Sequence, residues 1–252
     1  MSINSTMTAL ADEVRELSGK TGKLTLENMT DEVASGNGTI SDQTSLIAQI
    51  TQALEGKAAG GGGGGDTGLP AGYRRVDYIR FTGNQEVDTG IVCNQNTKLK
   101  VVFTREKSAQ HYLFGVASSD NTATVAAYLG GNWRFGNKAT SKSPTTNADM
   151  IYIGIVSGSE ITMTGSKTAI SGVNEFETVG TVILGGVRNA SGTISSPTFQ
   201  GKVLVWLLLD GDTPVQKLVP VVSTDGVYRF YDMVSGAFFD SITDTPLEGG
   251  DL

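Results

Sequence analysis

The spacing of apolar residues changes along the chain from a helical pattern to a strand pattern. At the N-terminus, successive apolar positions are separated by four, three, four and three residues. This is the heptad spacing that places a narrow apolar seam on one face of a helix. The residues of this predicted seam are Ile3, Met7, Leu10, Val14 and Leu17.

Two shorter helices are predicted after the seam. The first is capped by Thr25 and ends at Gly36, and the second begins at Ser41 or Asp42 and ends at Gly56. Residues 1–56 contain no aromatic residue, so three helices of this size make a thin core. We therefore expect the seam to be buried against other copies of the chain or a docking partner. A monomeric helical hairpin is the alternative.

Residues 57–68 predict a linker. They contain six consecutive glycines, from Gly60 to Gly65, which cannot bury enough surface to offset the entropy lost on ordering. All eighteen aromatic residues follow this linker, between Tyr73 and Phe239. The pattern divides the chain into a helical stem (1–56), a flexible glycine-rich linker (57–68) and a second domain (69–252).

The second domain shows the period of two that is typical of strands. Leu99, Val101 and Phe103 occupy every second position, with the polar residues Lys98, Lys100 and Thr104 beside them. Val203–Leu209 is apolar on both faces, as expected for a central strand. Turn signals separate about a dozen such segments, among them Thr82-Gly-Asn84 and Asp210-Gly-Asp212. The predicted fold class is mainly β: a β-sandwich of jelly-roll type, preceded by the small helical stem.

Composition excludes several functions. The net charge is −7, which disfavours binding to nucleic acid or to an anionic membrane surface. The longest apolar run, Val203–Leu209, is too short to span a membrane, and the N-terminus has no signal-peptide pattern. We expect a soluble protein made in a reducing cytoplasm. The chain has one cysteine, Cys93, and one histidine, His111. This excludes an intramolecular disulfide and a zinc site rich in histidine and cysteine.

Catalytic signals are weak, so we expect neither an enzyme nor a bound metal or cofactor. A serine nucleophile needs a base such as histidine beside it. His111 could be that base, but the chain contains no Gly-x-Ser-x-Gly nucleophile elbow. Glycoside hydrolysis needs two carboxylates across a cleft, and Glu160, Glu175 and Glu177 fit a solvated sheet face better. Asp210-Gly-Asp212 lacks the spacing of a calcium loop and predicts a hairpin turn.

One segment has the composition of a carbohydrate site. Sugar sites use an aromatic platform for the apolar ring face, with amide and guanidinium groups for the hydroxyls. The candidate residues are Tyr128, Asn132, Trp133, Arg134 and Asn137. In the alternative interpretation, Trp133 and Phe135 alternate into the core while Arg134 faces solvent. Trp206, in the doubly apolar strand, is expected to be core.

The second domain also resembles a known group of sandwich domains at both of its ends. Leu69-Pro-Ala-Gly-Tyr73 and Asp88-Thr-Gly90 are similar to the opening of concanavalin A-like (laminin G-like) domains in structural proteins of Firmicute phages and prophages. Asp225-Gly-Val-Tyr228 and Tyr231-Asp-Met-Val-Ser-Gly-Ala-Phe-Phe239 resemble the end of the same domains. Phrases of the stem, such as Leu46-Ile-Ala-Gln-Ile50, resemble N-terminal segments of phage tail and baseplate proteins.

The resemblance implies a virion protein of the tail, baseplate or fibre, assembled in the cytoplasm of the bacterial host. The stem would form a homo-oligomer, with a trimer favoured, and attach to other virion proteins. The sandwich would face outward and bind host surface glycan. Two alternatives remain: a decoration or fibre protein without a specific ligand, and a glycan-cleaving enzyme on the same fold.

Overall fold

The computed structural model describes residues 68–106, 111–118, 124–142, 151–164, 166–195 and 199–251. The predicted stem and nearly all of the linker lie outside these residues and stay predictions. The same holds for the predicted seam of Ile3, Met7, Leu10, Val14 and Leu17. No helix in the described part of the chain is long and apolar enough to cross a membrane.

The described residues form strands, which are numbered here in chain order. They are β1 (Tyr73–Arg75), β2 (Tyr78–Thr82), β3 (Val87–Asn94), β4 (Thr97–Phe103), β5 (His111–Ala117), β6 (Thr124–Leu129), β7 (Gly131–Gly136), β8 (Lys138–Lys142), β9 (Tyr152–Val156), β10 (Glu160–Met163), β11 (Ser166–Ala169), β12 (Glu177–Leu184), β13 (Gln200–Asp210), β14 (Thr213–Ser223), β15 (Tyr228–Asp232), β16 (Phe238–Phe239) and β17 (Glu248–Gly250).

The strands make two antiparallel sheets. The larger has eleven strands in the order β11-β10-β9-β4-β13-β14-β15-β16, with β1 paired to β14, β2 to β13 and β17 to β2. The smaller has six strands in the order β3-β12-β5-β6-β7-β8. Strands far apart in sequence pair directly, as β4 does with β13, because the chain passes repeatedly between the sheets.

Aromatic side chains from both sheets meet in one core. Trp133 and Phe114 from the smaller sheet contact Phe103 and Trp206 from the larger, with ring centroids 5.4–6.4 Å apart. Each of these four side chains is fully buried. Full burial of a large apolar side chain stabilises a fold by roughly 1.5–3 kcal/mol. The second domain is therefore a two-sheet β-sandwich.

Strand β13 confirms the prediction of a central strand that is covered on both faces. Trp206 and Leu208 point into the core between the sheets. Leu207 and Leu209, which alternate with them, are also buried, at 6% and 9% exposure. On neighbouring β14 and β15 a small second apolar cluster covers the outer face of the larger sheet. Its buried members are Val219, Val221 and Tyr231.

Most of the predicted strands and turns are confirmed. Leu99, Val101 and Phe103 all face the core from β4. Asp210-Gly-Asp212 forms the turn between β13 and β14, and Gly211 has a φ of 59° there. This left-handed conformation is the reason that glycine suits the turn.

Candidate functional site

The segment with the composition of a carbohydrate site is a hairpin of two strands, β6 and β7. Gly130, with a φ of 83°, lies in the turn between them. Within the hairpin Ala126 pairs with Arg134, and Ala127 pairs with Trp133. Because side chains alternate between the faces of a strand, Trp133 and Arg134 point to opposite sides of the sheet.

The structure removes Trp133 from the predicted carbohydrate-binding set. Its side chain is completely buried. The ring packs against Phe103 and lies over Gly154 of the opposite sheet, where an added Cβ would be 2.5 Å from Cη2 of the indole. Phe135 is likewise buried, so the alternative interpretation of inward alternation is correct for both rings. The physical reason is that side chains alternate between the two faces of a strand, so Trp133 and Phe135 point inward while Asn132 and Arg134 point outward.

The opposite face of the same hairpin forms one side of an open groove. The groove has a volume of about 490 Å³ and lies on the outer face of the smaller sheet. Small side chains make its floor, namely Ala117, Thr124 and Ala126. A floor of small residues on an otherwise flat sheet leaves a depression between the larger side chains around it.

Two tyrosines form an aromatic wall at one end. Tyr112 on β5 is the cross-strand partner of Tyr128 on β6, and their ring centroids are 4.6 Å apart at an interplanar angle of 43°. Both side chains are half-buried. Gly131 is required beside them, since a Cβ at this position would overlap the ring of Tyr128. The tyrosine pair therefore presents a fixed aromatic surface to the groove.

Polar groups on β7 line a second side. Asn132 and Arg134 are both exposed and alternate with the buried Trp133. Their side chains supply amide and guanidinium donors, which suit hydroxyl or carbonyl acceptors of a ligand. Tyr128, Asn132 and Arg134 are therefore brought together by the hairpin, as the composition of the segment suggested.

The remaining wall comes from the chain segment that follows β12, here called the crossing segment, which forms an isolated parallel bridge to β5 between Arg188 and Val116. Val187 and Asn189 line the groove from this segment. Between them, the backbone of Arg188 bonds to β5 on both sides, through its N–H to Gly115 O (3.1 Å) and its carbonyl to Ala117 N (2.9 Å). Val187 lies directly over Gly115, where a Cβ would meet it at 2.7 Å. The absence of a side chain at Gly115 thus allows the wall to approach the sheet.

An ion pair anchors this crossing segment to β3. Arg188 Nη2 donates to Asp88 Oδ2 at 2.6 Å, and Asp88 also accepts a hydrogen bond from the hydroxyl of Thr181. Glu86 is nearby, and burial raises the pKa of its carboxyl while the charge of Arg188 opposes that shift. Asn189 is oriented from within the segment, because its Oδ1 accepts from the backbone N–H groups of Ser191 and Thr193.

Asn137 lies outside the groove. It occupies the turn between β7 and β8, is exposed, and accepts a hydrogen bond from the backbone N–H of Asn174 at 3.2 Å. Two groove residues, Tyr112 and Asn189, were not predicted from the sequence. The pairing of Tyr112 with Tyr128 required the β5–β6 register, and no sequence signal places Asn189 over this sheet.

The other candidate groups, Glu160, Glu175, Glu177 and His111, do not line the groove. The expected solvated position is wrong for Glu160, which is buried and pairs with Lys167 at 2.8 Å, whereas Glu175 and Glu177 are exposed. Burial lowers the pKa of His111 to about 4, and the charge of Arg105 adds to this effect. Among the residues that the structure describes, no group of three His, Cys, Asp or Glu side chains is placed to hold a metal ion.

The burial of both tryptophans predicts the fluorescence of the protein. Trp133 and Trp206 are fully buried, and the chain has no other tryptophan. We expect a blue-shifted emission maximum and little quenching by iodide in the native state, with strong quenching after unfolding in guanidinium. Efficient quenching of half of the native emission would show that one indole is exposed, which contradicts the packing of Trp133.

The chain was compared with protein families, curated proteins and solved structures. No family model and no curated protein matches it. Among solved structures, it is similar to the native heptameric SAP-like pentraxin from Limulus polyphemus. The identity is 17%, the match covers 54% of this chain and 70% of that chain, and the TM-score is 0.34. The assignment of a two-sheet β-sandwich accordingly rests on the strand pairing described above.

Proposed function

We propose that residues 69–252 form a concanavalin A-like, jelly-roll carbohydrate-binding domain that a phage virion protein displays to its host. The observation that carries this proposal is the groove on the outer face of the smaller sheet. It combines an aromatic wall, Tyr112 and Tyr128, with the polar side chains of Asn132, Arg134 and Asn189. Aromatic faces beside a few polar groups are the combination that binds the apolar and hydroxyl-bearing sides of a sugar ring.

The chemistry of the groove favours binding over hydrolysis. The part of its lining that the structure describes contains neither aspartate nor glutamate, whereas most glycosidases need a pair of carboxylates. A non-catalytic module is therefore the better proposal, and it needs no metal or cofactor.

The virion setting is supported by the resemblance of both ends of the sandwich to domains of Firmicute phage structural proteins. In this setting residues 1–56 oligomerise, with a trimer favoured, and attach to other proteins of the tail, baseplate or fibre. Each sandwich then binds weakly, but the assembly binds more tightly, since several linked copies raise the avidity by roughly 10²–10⁴ without new contacts. A glycine-rich linker suits this arrangement because it leaves the orientation of each sandwich free.

A second candidate function is favoured by the burial of Trp133. Without this ring the aromatic surface of the groove, in the part of the chain that the structure describes, consists of two half-buried tyrosines. A decoration or fibre protein without a specific ligand would have no need of an exposed indole. The experiment below separates this function from glycan binding.

Binding of the labelled full-length chain to purified wall polysaccharides from a panel of Firmicute hosts tests the proposal. We expect saturable binding to at least one polysaccharide. Tyr128→Ala should weaken it about tenfold, which corresponds to about 1.4 kcal/mol for the lost aromatic contact. Asn132→Ala should weaken it several-fold.

Asn137→Ala is the matched control, because it removes the same side chain from the turn that follows β7, outside the groove. Its binding should equal that of the wild type, and unchanged tryptophan emission should show that each variant is folded. Binding by the wild type that survives Tyr128→Ala and Asn132→Ala would place the ligand elsewhere. A folded wild type that binds none of the polysaccharides would favour the decoration function.

A further inference from the structure

The groove contains a positive charge that nothing else in the described structure neutralises. Seven arginines are described, and six of them interact with other groups. Arg80, Arg188 and Arg229 form ion pairs of 2.6–3.2 Å, and Arg74 pairs with Asp251 at 3.5 Å. Arg134 alone makes no hydrogen bond or ion pair with the described residues.

The surroundings of Arg134 sharpen this contrast. The chain as a whole is acidic, with a net charge of −7, yet none of the described residues that line the groove carries a carboxylate. On the adjacent strand Arg134 pairs with Ala139, which offers no partner. Across the hairpin it pairs with Ala126, which is part of the groove floor. The guanidinium is therefore presented at the edge of a depression with small, uncharged neighbours.

We propose that the groove selects saccharides that carry an anionic substituent, a carboxylate or a phosphate, and that Arg134 is the residue that recognises it. A guanidinium donates two parallel hydrogen bonds to either anion, and these charge-assisted bonds are stronger than bonds to a neutral hydroxyl. The tyrosine wall then contacts the sugar ring while Arg134 binds its substituent. This inference rests on the proposed glycan-binding function and names the class of glycan.

Matched monosaccharides give a direct test, as competitors against the wall polysaccharide that binds the full-length chain. Glucose, glucuronic acid and glucose 6-phosphate differ only at C6, and galactose has the same series. For the wild type we expect one acidic member of a series to compete at a concentration at least about tenfold lower than its neutral parent. Comparison of the uronic acid with the phosphate identifies which anion is bound.

Arg134→Gln should abolish this preference, so that the acidic and the neutral members of a series compete at similar concentrations. Arg134→Lys keeps the charge but lacks the planar fork, so it should retain only part of the preference. Lys138→Gln is the matched control for charge. Lys138 pairs with the inward-facing Phe135, so it lies on the other face of the sheet from Arg134.

The outcomes separate this inference from the proposed function. Equal competition by neutral and acidic sugars, with polysaccharide binding intact, would overturn the inference and leave glycan binding standing. An equal loss of preference in Lys138→Gln and Arg134→Gln would assign the effect to the overall charge and also overturn it. A wild type that binds no polysaccharide would remove the proposed function itself.

Discussion

Replacement of Trp133 by alanine is expected to lower the free energy of unfolding of the sandwich by about 3–5 kcal/mol, the usual cost of emptying a large aromatic site in a core. The ring is fully buried between Phe103 and Phe114 from the two sheets, so little around it can collapse into the space. Guanidinium unfolding of the full-length chain, followed by the emission of Trp206, measures the change. An exposed aromatic platform would instead leave stability within about 0.5 kcal/mol of the wild type.

The contact with Gly154 permits a sharper version of this experiment. A Cβ at Gly154 would lie 2.5 Å from Cη2 and 2.7 Å from Cζ3 of Trp133, so Gly154→Ala should cost about 1–3 kcal/mol through overpacking. Trp133→Phe removes both of these indole atoms. It also removes an indole N–H that is buried without a hydrogen-bond partner in the described structure. Removal of this unpartnered N–H offsets part of the stability that is lost with the packing contacts of the indole.

The two substitutions should therefore compensate. Gly154→Ala in the Trp133→Phe background should cost less than it does alone, with a favourable coupling of about 1–2 kcal/mol in the double-mutant cycle. Gly158→Ala is a suitable control, since its Cβ would be 3.1 Å from the carbonyl oxygen of Gln95 and 3.7 Å from Phe135, and does not approach Trp133. Strict additivity of Trp133→Phe and Gly154→Ala would show that the indole does not lie over Gly154.

The fold could be predicted from sequence where strands bury an apolar face. Alternation in β4 and the doubly apolar pattern of β13 are direct consequences of burial, so both strands were found. Strand β8, Lys138–Lys142, was missed because it is an edge strand with no large apolar residue. Just before β9, Ile151 is 44% exposed, and the core side of that strand is formed by Tyr152, Gly154 and Val156.

The candidate site could be predicted only where its residues are close in sequence. Tyr128, Asn132 and Arg134 share one hairpin, so composition was enough to select them. The same criterion wrongly included Trp133, because composition does not distinguish the two faces of a strand. Asn189 reaches the groove through the crossing segment that Arg188 and Asp88 hold in place. The ion pair between Arg188 and Asp88 joins residues 100 positions apart, so no pattern within a short stretch of the sequence predicts it.

The stability of the sandwich is expected to fall by about 2 kcal/mol between pH 7 and pH 5 because of His111 alone. Its pKa is about 4 in the folded chain, against about 6.5 in an unfolded one, since burial and Arg105 disfavour the imidazolium. Between these values the unfolded chain binds a proton that the folded chain does not. The part of the folding stability that depends on a neutral imidazole is thus fully present above pH 6.5. It is lost as the pH falls towards 4.

His111→Phe isolates this contribution. The substitution keeps an aromatic ring against Phe199, whose centroid is 5.5 Å from that of the imidazole, and removes a buried Nε2 that has no hydrogen-bond partner among the described residues. At pH 7 the variant should be as stable as the wild type or slightly more stable. At pH 5 it should be more stable by about 2 kcal/mol, measured as the difference between the two chains in guanidinium unfolding.

Comparison of the two chains at each pH is essential because another buried group titrates in the opposite sense. The raised pKa of Glu86 makes its contribution to stability grow as pH falls, which masks part of the loss from His111 in the wild type alone. Glu86 is present in both chains, so it cancels in the difference. His111 is the only histidine in the sequence, so no other imidazole contributes. A difference that stays constant from pH 7 to pH 5 would mean that the imidazole is solvated and charges freely in the folded chain.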